Sequence, residues 1–182
     1  MLKRDSLLIC RSLAAWLLAA VASPIVAHAG DKPPAADAIV GDWLVESRDA
    51  GIRIAAAGTA PERHYGGHIV WLKDERYKAE DGPDLAGKPI MDLNNPDHSK
   101  RNRPLLGLPL LWDLHFEHGM WTEGRVYNSD DGHTYRCTIR LIDADHLRLH
   151  GYVGIQLLGG NTTWTRVSLP PAAASAAPAT SP

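Results

Sequence analysis

The chain has 182 residues, 45% hydrophobic and 22% charged. That length suits one domain, and the composition excludes a wholly disordered chain, a collagen repeat and a coiled coil. A net charge of −2 supplies no global basic field for nucleic acid, and two cysteines make neither a disulfide-rich scaffold nor a Cys-based zinc site.

At the N-terminus, Lys3, Arg4 and Arg11 precede an apolar run over Ser12–Val26, and Ala27-His28-Ala29 sets small residues where a signal peptidase reads. The run is too short for a comfortable membrane span. Residues 1–29 are therefore expected to be a signal peptide, cleaved on export, with the mature chain in the periplasm or secreted and no membrane-spanning segment left. No small residue precedes Cys10, which argues against lipid attachment, and cleavage would leave Cys137 as a lone thiol. Residues 30–38 read as a short linker and residues 39–169 as one domain, long enough to bury a core.

The domain opens on a candidate strand, Gly41–Arg48. Ile52, Ile54 and Ala56 alternate next, and then Tyr65, Gly67, Ile69 and Trp71. Asp74–Gly107 breaks the rhythm with Gly82-Pro83, Gly87, Asn94-Asn95-Pro96 and Pro104. Lys88–Asp92 fits a short strand there, and Asp97 fits the cap of one helical turn that stops before Pro104. A loop of this length is a lid, a binding loop or a plain surface excursion.

Leu108, Leu110, Trp112, Leu114 and Phe116 resume the alternation, and a turn at Glu117-His118-Gly119 leads to a strand over Trp121–Asn128. Asp131-Gly132 is a hairpin signal. His133–Ile142 has the clearest period of two, with Cys137 on its apolar face. Asp143-Ala144-Asp145 turns the chain into Leu147–Val153, and Asn161–Ser168 is the last strand. The uncharged Pro170–Pro182 cannot offset its ordering entropy and is expected to be a disordered Pro/Ala-rich tail. About eight antiparallel strands with few helices make an all-β up-and-down barrel or a sandwich. A barrel of that size has a filled interior or room for one small ligand.

The order of motifs resembles a bacterial family designated domain of unknown function 2147. The matching pieces include Gly41-Asp42-Trp43, Gly67-His68-Ile69-Val70-Trp71-Leu72-Lys73, Gly87-Lys88-Pro89-Ile90 and Asp92-Leu93-Asn94-Asn95-Pro96-Asp97. They continue with Arg101-Asn102-Arg103-Pro104, Trp121-Thr122-Glu123-Gly124, Tyr127-Asn128-Ser129-Asp130-Asp131-Gly132, Gly151-Tyr152-Val153-Gly154 and Trp164-Thr165-Arg166. The chain departs at Glu123, where the family tends to have glycine, and at Ser129, where it tends to have proline. The resemblance implies an exported lipocalin-like barrel and no particular reaction. It also implies that Trp43 on the first strand packs near Arg166 on the last.

No metal site is expected. His64 and His68 lie about 13 Å apart along one strand, and Asp92, Asn94 and Asp97 lack the EF-hand spacing. No nucleophile elbow, phosphate loop or dinucleotide fingerprint occurs, so no cofactor and no catalytic residue is assigned. Glu123 and Arg125 share a predicted face with Trp121 and Tyr127, either looking into a barrel or solvated on its outside. Arg101 and Arg103, close after Asn95, either grip an anionic group or pin the long loop to the barrel.

The expected protein is a periplasmic lipocalin-like binding protein for a small apolar or amphipathic molecule, including one with an acidic group. Trp112, Trp121, Tyr127 and Tyr135 would line the cup, with Asn95, Arg101 and Arg103 at its mouth. The alternatives are a hydrolase or isomerase using a carboxylate or His in the cavity, and an envelope interaction protein with a filled barrel.

Overall fold

Eight strands run antiparallel in sequence order around a closed barrel: β1 (Gly41–Leu44), β2 (Ala50–Ala57), β3 (His64–Leu72), β4 (Pro109–Glu117), β5 (Met120–Asn128), β6 (His133–Leu141), β7 (His146–Tyr152) and β8 (Gly159–Val167). β8 returns to pair with β1, Trp43 standing opposite Arg166. Closure leaves no sheet edge, which decides for the barrel over the sandwich. The computed structural model describes residues 34–157 and 159–170; the signal peptide expected over 1–29 and the tail beyond Pro170 lie outside them.

The eight strands fall close to where the alternation puts them, but β1 is shorter than expected. β1 ends at Leu44 instead of Arg48, because the Arg48 amide donates to the Val45 carbonyl and Arg48 takes φ +62 in the turn to β2.

One end of the barrel is filled. Ala36–Ile39, within and just beyond the stretch read as a linker, forms a 3-10 helix against it. Ile39 is fully buried there. Trp43 Nε1 donates to the Ile39 carbonyl (2.8 Å), and Trp121 Nε1 donates to the Ala36 carbonyl (3.1 Å). Both indoles thus satisfy their one polar atom while burying the ring. Ile54, Tyr65, Leu114, Cys137, Ile139 and Leu147 complete this core. Burial pushes the Cys137 thiol up to about 12, so it packs as an apolar group with an inert sulfur.

A double irregularity in β4 and β5 resets the alternation. Their pairing passes from Trp112 opposite Arg125 directly to His115 opposite Thr122. Between these, Asp113 and Glu123 take φ +58 and +60. Trp121 pairs with Ile139, and Gly124 with Cys137, so an odd and an even residue of β5 share the inner face. Beyond the bulge Val126 and Asn128 face inward, and Arg125 and Tyr127 face outward. The predicted common face of Trp121, Glu123, Arg125 and Tyr127 is therefore broken in the middle.

Residues 73–108 join β3 to β4 at the opposite, open end. The stretch read as a short strand makes only single bridges, Arg76 with Pro89 and Met91 with Pro104. As expected, Asp97 caps one turn, His98–Lys100, by accepting from the Ser99 amide (3.0 Å).

Candidate functional site: an open half-barrel

The filled end gives way to a hollow because the inner face runs out of large side chains. Gly151 on β7 stands opposite Gly160 on β8. A Cβ at Gly151 would find only ordinary contacts near 3.9–4.0 Å, with Tyr135, Val126 and Leu149. One at Gly160 would meet nothing within 4 Å. The result is a cavity of about 600 Å³ open to solvent, within the range that holds a small ligand.

Ile69, Leu105, Leu110, Val126, Leu149 and Trp164 make its apolar wall. Asp49, Lys73, Asn128, Asp130, Asn161 and Thr162 bring polar groups to it. Such a lining suits a molecule with an apolar body and a polar end. Leu105 and Ile90 come from the long loop, which therefore forms part of the site.

The loop is anchored by a polar knot on the outer wall. Asp92 is fully buried. Its carboxylate accepts from Tyr127 Oη (2.6 Å), Asn95 Nδ2 (2.7 Å) and Arg103 Nε (2.9 Å). Arg103 also lies over the Tyr127 ring, 5.8 Å from its centroid. Arg101 Nε donates to the Asn95 carbonyl (2.7 Å). A buried carboxylate is costly unless paired, and this one has three donors. Burial first, then the hydrogen bond to Asp92 and its charge, push the Tyr127 hydroxyl up to about 12.

The predicted ligand residues thus separate. Tyr135 lines the cavity, its hydroxyl donating to Asp131 Oδ2 (2.7 Å), and Tyr127 borders it. Asn95 and Arg103 reach the wall at Tyr127, whereas Arg101 bonds within the loop to the Asn95 carbonyl. Trp121 lies in the filled end. Trp112 lines a second hollow of about 370 Å³ between loop and outer wall, beside Lys100, Arg103 and Thr134. Glu123 is exposed on the bulge.

Two features escaped the sequence. Asp92 read as a turn residue because its partner Tyr127 is 35 positions away. The hollow is marked by Gly151 and Gly160, small residues that carry no signal in an alternation of apolar and polar side chains.

A closed eight-stranded antiparallel barrel, plugged at one end and hollow at the other, is a lipocalin-like architecture, and such a fold suggests a ligand-binding barrel. Among solved structures, the chain is similar to protein HP1028 from Helicobacter pylori, described as belonging to the lipocalin family. The identity is 20% and the TM-score 0.53, covering 71% of this chain and 82% of that one. The model of the bacterial family DUF2147, described as an uncharacterized protein conserved in bacteria, matches residues 41–166. The chain belongs to that family. No curated protein matches it.

Proposed function

We propose that this chain is an exported binding protein that holds one small apolar or amphipathic molecule in the open half of its barrel. The observation that carries the reading is the cavity of about 600 Å³ with an apolar wall and polar groups around it. Export to the periplasm is supported by Lys3, Arg4 and Arg11 ahead of the Ser12–Val26 run and Ala27-His28-Ala29. Arg101 and Arg103 are engaged by the loop, so an acidic end would meet Lys73 in the lining, where Asp49 and Asp130 outnumber it. Asp49 and Asp130 beside Asn128 and Thr162 favour a neutral, hydroxylated or amine-bearing end. The enzyme alternative calls for a carboxylate or a histidine in the cavity: Asp49, Asp74 and Asp130 line it, whereas Glu123 lies exposed on the bulge.

The test is mass spectrometry of the intact purified protein under non-denaturing conditions, followed by solvent extraction. A bound molecule of one defined mass, released on unfolding, is expected. A bare chain that also takes up no member of a panel of fatty alcohols, sterols and aromatic amines would overturn the proposal.

A further inference from the structure

On the outer wall of β5–β7, arginines face each other across strands. Arg125 stands opposite Arg136, and Arg140 opposite Arg148. Directly opposed like charges destabilise a sheet unless something neutralises them. None of the four is in an ion pair among the described residues. Asp131 accepts from Tyr135, Asp143 faces His146 and Asp130 lines the cavity, while Asp113 and Glu123, exposed at the bulge beside Arg125, form no ion pair with it among the described residues. In a chain with net charge −2, this is a local concentration of one sign.

An independent feature lies beside it. Arg136 pairs with Tyr152, the residue before the β7–β8 loop. That loop exposes Val153 (67%), Ile155 (61%) and Leu157 (88%), three large apolar side chains on one tip at the open end of the barrel. The tip is held to β7, His150 Nε2 donating to the Gln156 carbonyl (2.7 Å). Grouped apolar side chains turned into water mark a contact surface.

We propose that this corner of the barrel docks on an anionic lipid bilayer, with Val153, Ile155 and Leu157 entering the headgroup–acyl boundary and Arg125 and Arg136 meeting lipid phosphates. A projecting apolar tip flanked by cations has the chemistry of an interfacial anchor. An acidic peptide would satisfy the arginines and leave the tip in water, which favours the bilayer. Docking sets the open end of the barrel at the lipid surface. It stands on the outer wall and the tip alone and does not require the cavity to be occupied.

The experiment is co-sedimentation with vesicles of pure phosphatidylcholine and of phosphatidylcholine containing one-third phosphatidylglycerol. Binding to the mixed vesicles is expected, weakening as salt rises. Arg125→Gln with Arg136→Gln should weaken it roughly thirtyfold, from the worth of two cations near an anionic surface. Ile155→Ser with Leu157→Ser should weaken it as well, and neither variant should lower the melting temperature, the arginine pair's removal raising it if anything. No binding to the mixed vesicles at low salt, or binding unchanged in either variant, would overturn the proposal. So would binding to polyglutamate without binding to vesicles.

Discussion

Tyr127 on β5 donates a 2.6 Å hydrogen bond to Asp92 in the middle of the long loop. This contact joins the outer wall to the segment that supplies Ile90 and Leu105 to the cavity. Tyr127→Phe leaves a buried carboxylate short of a donor and should cost about 1–3 kcal/mol, read from the denaturation midpoint. The hydroxyl's pKa, raised from 10.0 to about 12, gives the sign of the pH effect. The stabilisation is complete below pH 10, the unfolded value, and is lost as pH rises toward 12. Tyr65 and Tyr135 are also raised, so the check is a difference: the tyrosinate absorbance titration of the Phe variant should lack one late-titrating tyrosine of the wild type.

Arg166 closes the barrel as the family resemblance implies. Its guanidinium lies 4.1 Å from the Trp43 ring centroid and donates to the carbonyls of Ala38, Val40 and Ala144. Arg166→Ala should lower stability by about 2–4 kcal/mol, from one cation–π contact and several hydrogen bonds. Thermal unfolding measures it, and Arg166→Lys should recover only a minor part, because an ammonium cannot span three carbonyls over an indole.

Glu123 holds φ +60, a conformation that favours glycine. Its side chain is exposed. Glu123→Gly should therefore leave the barrel intact and stabilise it by about 1 kcal/mol. Chemical denaturation at constant m-value is the check, and a loss of stability would show that Glu123 makes a contact worth more than the strain.

The pair Asp42–Arg53 ties β1 to β2 through two hydrogen bonds of 2.7 and 2.8 Å. The Arg53 guanidinium holds the Asp42 carboxyl below its ordinary 3.8. The stabilisation is therefore present above about pH 4 and lost as pH falls through the depressed value. Asp42→Asn should flatten the acid limb of a stability-against-pH curve and lower its plateau near neutrality.

Most of the architecture was legible because half-buried strands write their faces as a period of two, as in His133–Leu141 around Cys137. The bulge was not, since nothing in Trp121-Thr122-Glu123-Gly124 reports the positive φ that turns Tyr127 outward. The knot was not either, because Asp92 and Tyr127 meet only once the loop folds over the wall. The site was misplaced for a related reason. Aromatics drew the reading toward the interior, and the structure uses Trp121 to fill one end and glycines to empty the other.

Titration with a neutral apolar fluorophore such as N-phenyl-1-naphthylamine tests the cavity most directly, comparing the wild-type protein with Gly151→Leu. Gly151 has room for a side chain on the inner face, so the variant should fold while the added leucine occupies the hollow. Saturable one-to-one binding by the wild type and a loss of tenfold or more in the variant is the expected result. Equal binding by both, or none by the wild type, would contradict a ligand held in the open half of the barrel.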